Sequence, residues 1–528
     1  MFILTKEQAE NADKYSQEGL GLYGEMLMEN AGQAFSIALA NHIKLNSKHR
    51  FHIFCGRGNN GGDGIVLARR LKQLGHKTRL IFVDGVDDFS AAAAYHFKVY
   101  CNCGFDYELF NLDDETVFNE SNNNNIIIID AIFGTGFHGE PNDQKAQIFK
   151  KINSSAATVV SLDVPSGVCV DEGHFKAAIK ADLTLCVSQL KLSAFLMPAS
   201  LNYGKIVVVE AGVVCSPEVA RSCMKTWGLA EFKKTYVFKN SRANKWSGGR
   251  ALFVGGHNTM PGAVILAAKA CLGSGVGLLK LAVLNSLKNI IVANVPEATY
   301  ANVQEKEGAL SNFELSDGLD VVAAGPGLSR AACVRNVVIK VVEAQSAIVL
   351  DADALSFFDE EMFSLVKKRK FPTVLTPHER EMARLCGCSA DFVASHRLEL
   401  AKEKAMEWNC FLVLKGANTI TTTPSGMQFV NLSGNEGLAK GGTGDLLTGI
   451  VCAMVAQCLG SKNELEVANA VCNAVFIHGL CANLLVKQGK DAVAITATDV
   501  LNCLNETFRK LRLGNIESCE LEGNSLCF

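Results

Sequence analysis

The sequence predicts an α/β protein with two domains, and three observations support this. The chain has 528 residues, whereas a typical domain has ~150. Short β-branched apolar runs alternate with longer amphipathic stretches, which is typical of strands joined by helices. The apolar runs are uninterrupted, as in a parallel sheet covered by helices on both faces. We therefore expect doubly wound layers in both halves of the chain.

The apolar runs fall into two groups. In the first group we expect strands at 50–56, 78–84, 126–130, 157–163, 183–188 and 205–210, with helices such as 63–74 and 90–101 between them. The alternation of apolar runs and amphipathic stretches is interrupted over 213–245, a polar stretch in which we expect one helix and a connecting segment. In the second group we expect strands at 250–254, 278–283, 319–324, 346–351, 372–375, 411–414 and 427–432. We therefore predict domains over 1–225 and 235–512, followed by a loose C-terminal tail over 513–528.

Composition excludes several classes of protein. The 51 Lys and Arg residues nearly balance 54 Asp and Glu residues and form no long basic run, which argues against nucleic acid as the main partner. Nineteen cysteines are scattered singly, as in a reducing compartment, and the N-terminus turns polar after four apolar residues, unlike a signal peptide. We expect the longest nearly uncharged helical stretch to be 446–460, which is shorter than the ~20 residues that span a bilayer. We expect a cytoplasmic homo-oligomer without a membrane segment.

The first glycine-rich turn lies between an expected strand and an expected helix. Gly56, Gly58 and Gly61 satisfy G-x-G-x-x-G in that context, and Asp84 ends the next strand, where a ribose-binding acid is expected. Glycines there let a pyrophosphate approach backbone N–H groups at a helix N-terminus. The alternative is a tight turn that only requires unusual backbone angles.

Amide and carboxylate side chains follow the same edge of the sheet. The turn contains Asn-Asn-Gly-Gly-Asp at 59–63, and Asp130 and Asp163 end two further strands. Because the carboxyl ends of parallel strands face one crevice, these groups should lie close together. Each such Asp could instead form a turn or a helix cap. Three acid-bearing glycine loops in one sheet favour an active site.

The second half contains a glycine loop suited to phosphoryl transfer. Gly441, Gly442 and Gly444 precede an apolar helix, with Asp445 in its first turn. Backbone N–H groups at a helix start bind anions, and the adjacent Asp can accept a proton from an attacking hydroxyl. Lys415, just after a strand, could contact a nucleotide phosphate. The alternative is an N-terminal capping Asp after a flexible loop.

Four segments in chain order resemble the NAD(P)H-hydrate epimerase family: LMENAG (27–32), GRGNNGGDG (56–64), DAIFGTGFHGE (130–140) and SLDVPSG (161–167). The resemblance implies a Rossmann-like domain that interconverts the R and S epimers of NAD(P)H hydrated at C6 of its nicotinamide ring. It also implies that Asp163 is the acid/base group. Residues implied to hold a potassium ion are Asn60, Asp130 and Ser166. Residues implied to hold the hydrated dinucleotide are Asn59, Asn60, Gly61, Gly62, Asp63, Gly134, Thr135, Gly136, Phe137, His138, Gly139, Glu140 and Asp163. Glu210 stands where the family often has Asp, and its role is open.

Seven segments of the second half resemble the ADP-dependent NAD(P)H-hydrate dehydratase family, which has a ribokinase-like α/β fold: MPGA, GPGL, LDADAL, LTPH, LKGA, GGTGD and FIHG. The resemblance implies that the C6 hydroxyl of the S hydrate is phosphorylated by ADP and that phosphate is then expelled. Residues implied to contact the hydrate are Ala263, Gly327, His378 and Asp445. Residues implied to bind the AMP portion are Lys415, Gly416, Ala417, Asn418, Thr419 and Gly444. Mg²⁺ is expected with the nucleotide. PHERE (377–381), Lys440 and Gly256-His257 depart from the family pattern.

These observations predict a bifunctional isomerase and lyase of metabolite repair. Its small-molecule substrates would be hydrated NADH or NADPH and ADP, and its products AMP, phosphate and NAD(P)H. No residue decides between NADH and NADPH, or between ADP and ATP. One alternative is a ribokinase-like vitamin or sugar kinase with an appended dinucleotide-binding module. In another, the first domain is a binding module without catalytic activity.

Overall fold

The computed structural model describes residues 1–43, 45, 48–111 and 125–516, and the backbone of 526–527. The chain divides into two compact units. Unit 1 comprises Met1–Met224 and Ser525–Phe528, and unit 2 comprises Lys225–Asn524. The α/β class is confirmed in both. The assignment of one activity to each predicted domain stays a prediction. Most of the expected tail lies outside the described residues.

Unit 1 is built on a parallel sheet with the strand order β22-β9-β7-β6-β5-β2-β3-β4. Its strands are β2 (Arg50–Cys55), β3 (Lys77–Phe82), β4 (Glu108–Leu109), β5 (Ile126–Ala131), β6 (Thr158–Leu162), β7 (Leu183–Val187), β9 (Lys205–Val209) and β22 (Leu526–Cys527). Each strand pair recorded in this sheet is parallel. β5 is buried along its whole length, as its uninterrupted apolar sequence predicts. β1 (Phe2–Leu4) and β8 (Leu190–Lys191) pair with each other in parallel.

Helices cover both faces of the unit 1 sheet, and apolar clusters fill the two layers between sheet and helices. The helices are Lys6–Lys14, Gly24–Ile43, Asn59–Gln73, Ala91–Asn102, Asp143–Asn153 and Pro217–Ser222. The helix Asn59–Gln73 directly follows β2, so its N-terminus lies at the carboxyl edge of the sheet. This is the edge at which open α/β sheets bind ligands.

Unit 2 contains the strand order β13-β12-β11-β16-β17-β18-β19-β20-β21-β10. Its strands are β10 (Met224–Trp227, beginning at the unit boundary), β11 (Arg250–Val254), β12 (Leu278–Ala282), β13 (Thr299–Tyr300), β16 (Val321–Ala324), β17 (Ala347–Leu350), β18 (Thr373–Leu375), β19 (Phe411–Leu414), β20 (Ile420–Thr422) and β21 (Gln428–Asn431). The sheet is parallel up to β19, and β20 is antiparallel to both of its neighbours. β14 (Val303–Lys306) and β15 (Ala309–Phe313) form an antiparallel hairpin.

The polar stretch 213–245 differs from its expected structure. It contains two helices, Pro217–Ser222 and Leu229–Thr235, with the strand β10 between them. β10 pairs in parallel with β21, and the Trp227 ring packs edge-on against Phe429 at 5.3 Å. The expectation of one helix and a connecting segment was wrong because a four-residue strand shows too little alternation to be recognised.

The remaining helices of unit 2 include one of exceptional apolarity. They are Pro261–Gly273, Lys288–Asn294, Val334–Val342, Glu360–Lys367, Glu379–Cys386, Ala390–Ser395, Arg397–Trp408, Thr443–Ala456, Glu464–Lys487 and Ala497–Leu513. In Glu464–Lys487 the 20 residues 467–486 carry no Asp, Glu, Lys or Arg, so the expectation that 446–460 is the longest such stretch was wrong. Among the described residues, this helix alone is long and apolar enough to cross a membrane, but 89% of its most apolar window is buried. This burial is typical of a core helix.

Two candidate active sites

The glycine turn of unit 1 requires its glycines for close approach of backbone to backbone. A Cβ atom on Gly61 would lie 2.0 Å from the Gly56 carbonyl oxygen, closer than any side chain permits. Gly58 caps the following helix without a side chain, which leaves space beside the first N–H groups. The sequence therefore folds into a turn that exposes a helix N-terminus at the sheet edge.

Oxygen atoms from three elements converge beside this turn. The Asn60 Nδ2 group donates to the Phe133 carbonyl at 2.7 Å, and its buried Oδ1 atom has no hydrogen-bond partner in the described part of the chain. Asp130 is fully buried and accepts from Ser161 Oγ at 2.7 Å and from the Ser166 backbone N–H at 2.9 Å. Burial raises the pKa of Asp130, although hydrogen bonds from Ser166 and Ser161 oppose the increase. The unpaired amide oxygen and these carboxylate and hydroxyl oxygens suit a hard cation.

Asp163 forms a buried ion pair with Lys191. The Lys191 ammonium group donates to Asp163 Oδ1, to the Val187 carbonyl at 2.9 Å and to the Gln189 carbonyl at 3.0 Å. Asp163 Oδ1 also accepts the Val187 backbone N–H at 3.1 Å. Burial alone would lower the pKa of Lys191, but the charge of Asp163 holds that pKa above its ordinary value. Asp163 has φ +64, so its backbone is held in the left-handed region directly after β6.

A cavity of about 850 Å³ brings many of the expected residues together. Expected residues that line it are Asn59, Asn60, Asp63, Gly134, Thr135, Gly136, Phe137, His138 and Asp163. Gly61, Gly62, Gly139 and Glu140 are not among the lining residues, and Glu140 pairs with Lys176 at 3.1 Å on the surface. Asp130 and Ser166 are almost completely buried and are likewise not among the lining residues. Asp84 lines the cavity but pairs with Lys145 at 2.5 Å.

The charged residues of this cavity that were missed from the sequence include Asp13 and Lys191. Desolvation raises the pKa of Asp13 to about 6, an increase that Lys191 opposes and Asp163 favours. Desolvation, together with the charges of Asp163 and Asp13, raises the pKa of Asp63 well above its ordinary value. The cavity therefore combines the ion pair of Asp163 and Lys191 with two carboxyl groups whose pKa values are raised.

In unit 2 the glycine loop leads into the helix Thr443–Ala456. Gly442 precedes the helix with φ +89, a backbone conformation that residues other than glycine rarely adopt. Asp445 lies in the first turn, half-buried, and forms no hydrogen bond or ion pair in the described part of the chain. Burial and the nearby charge of Asp351 raise the pKa of Asp445 to about 6. This carboxylate is thus free to accept a proton near neutral pH.

A buried network lies beside Asp445. The Asp351 carboxylate accepts from Lys415 Nζ at 2.6 Å and from Thr448 Oγ1 at 2.6 Å. The Lys415 ammonium also lies 3.9 Å from Glu381 Oε2. A Cβ atom on Gly444 would lie 3.6 Å from Lys415 Nζ, so the lysine is adjacent to the glycine loop. Lys415 was expected here, whereas Asp351, Thr448 and Glu381 were assigned no role in the site from the sequence.

His378 caps the helix Glu379–Cys386 and is half-exposed. Its Nδ1 atom accepts the backbone N–H groups of Arg380 at 3.1 Å and Glu381 at 3.2 Å. Burial and the positive charge of Lys415 lower the pKa of His378, against the opposing charge of Glu381. The ring is therefore neutral near pH 7, with its proton on Nε2, where it can donate to a ligand.

The other expected residues of unit 2 lie on neighbouring loops. A Cβ atom on Gly327 would lie 3.2 Å from the Ala263 side chain, so these two residues are neighbours. A Cβ atom on Gly325 would meet the Asp351 carbonyl, so the loop that contains Gly327 adjoins the buried network. In the 415–419 segment, the Asn418 Nδ2 group donates to the Asn431 carbonyl at 3.3 Å. Thr419 Oγ1 donates to the Gly416 carbonyl at 3.1 Å.

Comparison with known proteins gives matches to both halves of the chain. Residues 251–505 match a family model described as NAD(P)H-hydrate dehydratase, and residues 24–193 match one described as YjeF-related protein N-terminus. The bifunctional NAD(P)H-hydrate repair enzyme Nnr of Moorella thermoacetica is 31% identical over 533 residues, covering 97% of each chain. The enzyme of the same name from Thermofilum pendens is 30% identical over 510 residues, covering 95% of each chain.

Among solved structures, the ADP/ATP-dependent NAD(P)H-hydrate dehydratase from Bacillus subtilis, co-crystallised with ATP and Mg²⁺, is 31% identical with a TM-score of 0.48. The match covers 55% of this chain and 99% of the Bacillus subtilis chain. The two full-length relatives confirm the resemblance seen in the sequence motifs of both halves. The chain belongs to the family of bifunctional NAD(P)H-hydrate repair enzymes.

Proposed function

We propose that unit 1 interconverts the R and S epimers of hydrated NAD(P)H and that unit 2 dehydrates the S epimer at the expense of ADP. The observation that carries this proposal is the presence of a separate carboxylate in each unit. Asp163 is held by Lys191 in the unit 1 cavity, and the Asp445 carboxylate beside the glycine loop of unit 2 has no partner among the described residues. A dehydratase specific for one epimer would leave the other unused, so an epimerase on the same chain completes the repair.

In unit 2, Asp445 accepts the proton of the C6 hydroxyl as its oxygen attacks the β-phosphorus of ADP. The bond between that phosphorus and the bridging oxygen breaks, and AMP leaves. Backbone N–H groups at the start of the helix Thr443–Ala456 stabilise the charge on the phosphoryl oxygens. The ring nitrogen lone pair then expels phosphate from C6, and loss of a C5 proton restores the dihydropyridine ring. Phosphorylation is needed because hydroxide is a poor leaving group.

Mg²⁺ is expected to accompany the nucleotide in unit 2. The described residues contain no group of three or more His, Cys, Asp or Glu side chains arranged to hold a metal ion. Asp351 is already occupied by Lys415 and Thr448. This donor set suits Mg²⁺ held chiefly by nucleotide phosphates and water. When bound, the ion would neutralise charge on the transferring phosphoryl group.

In unit 1, Asp163 serves as the acid/base group at C6 of the hydrate. Its ion pair with Lys191 fixes the orientation of the carboxylate. Asp63 lines the same cavity and, because its pKa is raised, supplies a protonated carboxyl group. Proton transfer to and from the C6 hydroxyl group requires such positioned groups. Residues 134–138 also line this cavity, where they would contact the dinucleotide.

A potassium ion fits the oxygens beside the glycine turn. The unpartnered Asn60 Oδ1 atom, the Asp130 carboxylate and the Ser166 hydroxyl would hold it, and the ion would supply a fixed positive charge near the substrate. We expect K⁺ at tenfold its dissociation constant to stabilise the protein by about 1.4 kcal/mol. Comparing thermal unfolding in K⁺ salts with unfolding in tetramethylammonium salts of equal ionic strength measures this stabilisation. Asn60→Ala should remove the K⁺ effect and the neighbouring Asn59→Ala should retain it. Equal K⁺ dependence in Asn60→Ala and wild type would contradict the assignment.

The proposed reaction is tested with both epimers of hydrated NADH and with ADP. We expect NADH absorbance to appear until both epimers are consumed, with one AMP and one phosphate formed for each NADH. Without ADP, the epimers should interconvert and no NADH should form. Phosphorylation of a hydroxymethyl vitamin without recovery of NADH would instead support the ribokinase-like kinase. The homo-oligomer and the cytoplasmic location stay predictions.

Dehydration should decline in acid because Asp445 must be ionised to accept a proton. Burial raises the pKa of Asp445 to about 6, so the ionised fraction falls as the pH drops below this value. We expect kcat/KM for the S epimer to fall about tenfold per pH unit below pH 6 and to be nearly constant from pH 7 to 8. Rates corrected for enzyme-free blanks at each pH measure this. A profile flat down to pH 5 would contradict the role of Asp445 as base.

A further inference from the structure

Arg397 is a buried arginine that the proposed mechanism does not use. It begins the helix Arg397–Trp408 and is only 6% exposed. Its guanidinium group donates to three backbone carbonyls of one segment: Leu414 at 3.3 Å, Lys415 at 3.4 Å and Ala417 at 2.9 Å. Burying a guanidinium is costly, so an arginine devoted to one short segment indicates that the segment must be held in place.

The three hydrogen bonds also orient the neighbouring N–H groups. In a trans peptide the C=O and N–H bonds point in opposite directions. Because the Lys415 and Ala417 carbonyls face Arg397, the N–H groups of Gly416 and Asn418 face away from it. Within the described residues, neither of these two N–H groups has a hydrogen-bond partner. The segment thus offers two free backbone donors on the side opposite the guanidinium, an arrangement that binds anions.

The backbone of this segment depends on that support. Gly416 has φ +153 and Asn418 has φ +55, both in the region that ordinary residues avoid. A Cβ atom on Gly416 would lie 2.6 Å from Arg397 Nη2, so the guanidinium fills the space beside the glycine. Without the guanidinium, two unusual backbone conformations would lose the hydrogen bonds that compensate their cost.

Glu379 connects Arg397 to the segment that contains His378. Glu379 Oε1 lies 3.7 Å from Arg397 Nε, an atom without a hydrogen-bond partner among the described groups. The Lys415 backbone N–H donates to the Pro377 carbonyl at 2.9 Å, which joins the same two segments a second time. The charge of Glu379 therefore balances the charge of the buried guanidinium and helps to hold the two segments together.

We propose that Arg397 is a positioning residue for the nucleoside diphosphate: it holds residues 415–419 in the conformation that presents the Gly416 and Asn418 N–H groups to the ligand, and Glu379 strengthens this hold. The inference rests on the proposed function, because it takes residues 415–419 as the nucleotide-binding segment. Arg397 lies on the side of the segment opposite these N–H groups and does not contact the nucleotide.

The test measures ADP binding by calorimetry on the full chain and steady-state kinetics of dehydration. In Arg397→Ala we expect the ADP dissociation constant and the KM for ADP to increase about 10- to 100-fold, as loss of charged hydrogen bonds predicts. The KM for the S hydrate should change less than threefold, and added guanidinium should restore part of the ADP affinity. Glu379→Gln should raise the KM for ADP by a smaller factor. Lys402→Ala, an exposed position on the same helix, should match wild type.

The outcomes separate this inference from the proposed function. Wild-type ADP affinity in folded Arg397→Ala would overturn the inference. If that variant does not fold, Arg397→Lys decides, because lysine keeps the charge but cannot reach three carbonyls at once; wild-type ADP affinity in that variant overturns the inference. Equal increases in the KM for ADP and for the hydrate would also overturn it, since they indicate a general disturbance. Absence of NADH recovery by wild type contradicts the proposed function, while calorimetry of ADP binding still tests Arg397.

Discussion

Asp445→Asn should reduce dehydration of the S epimer about 10²- to 10⁴-fold, because an amide cannot accept the hydroxyl proton. Epimerisation should be unchanged, so mixed epimers incubated with ADP should interconvert without forming NADH. The substitution should also stabilise unit 2. Burial raises the pKa of Asp445 to about 6, so the ionised group is less stable in the folded than in the unfolded chain above that pH. We expect the free energy of unfolding at pH 8 to increase by about 1–3 kcal/mol.

The combination of lower activity and higher stability distinguishes a catalytic carboxylate from a structural one. A helix-capping Asp would lower stability when replaced, whereas an unpaired acid raises it. Asp391→Asn is a matched control, since Asp391 also lies in the first turn of a helix but is exposed. Chromatography that separates the two epimers measures the loss of activity. Unfolding in urea measures the gain in stability. Full dehydratase activity in Asp445→Asn would contradict the mechanism.

Asp163→Asn should abolish epimerisation while dehydration continues. With mixed epimers and ADP, the S epimer should be consumed and the R epimer should persist, with epimerisation reduced about 10²- to 10⁴-fold. The backbone should tolerate the change, because Asn adopts the left-handed conformation seen at φ +64 more readily than most residues. The variant leaves Lys191 without its carboxylate partner, which should cost about 3–5 kcal/mol.

A double variant separates catalysis from this loss of stability. Asp163→Asn combined with Lys191→Met removes both charges of the ion pair and should recover much of the lost stability. Epimerisation should remain absent in the recovered protein, because the acid/base group is still missing. Asp143→Asn, at an exposed position in unit 1, is the control. If the double variant epimerises as fast as wild type, Asp163 is not the acid/base group.

The sequence predicted those parts of the fold and site that depend on local pattern. Uninterrupted runs such as 126–130 and 411–414 fall within buried strands, because a strand covered on both faces has no polar alternation. Glycine turns at 56–64 and 441–445 lie at helix starts, where the first requires close backbone approach and the second the positive φ of Gly442. The carboxyl-edge rule also placed Asp163 in the same cavity as the residues of the first turn.

The partners of these residues could not be predicted, because they are distant in sequence. Lys191 reaches Asp163 across 28 positions, Thr448 reaches Asp351 across 97, and neither carries a local motif. Arg397 looks like an ordinary charged residue of an amphipathic helix, yet it is buried against a loop. Only three-dimensional packing distinguishes such groups from surface charges. Sequence motifs identified residues of the unit 1 cavity and of the glycine loops, and the structure added the groups that pair with them.

The apolar helix Glu464–Lys487 has a consequence for how the polypeptide is made. Two of its buried polar groups find partners earlier in the chain: Trp227 Nε1 donates to Asn473 Oδ1 at 3.0 Å, and Ser433 Oγ donates to the Phe476 carbonyl at 2.8 Å. During synthesis all strands of the unit 2 sheet leave the ribosome before this helix does. A segment that could otherwise enter a lipid bilayer or aggregate therefore emerges when its docking surface already exists. Moving it ahead of that sheet by circular permutation would expose it during translation and should lower the soluble yield.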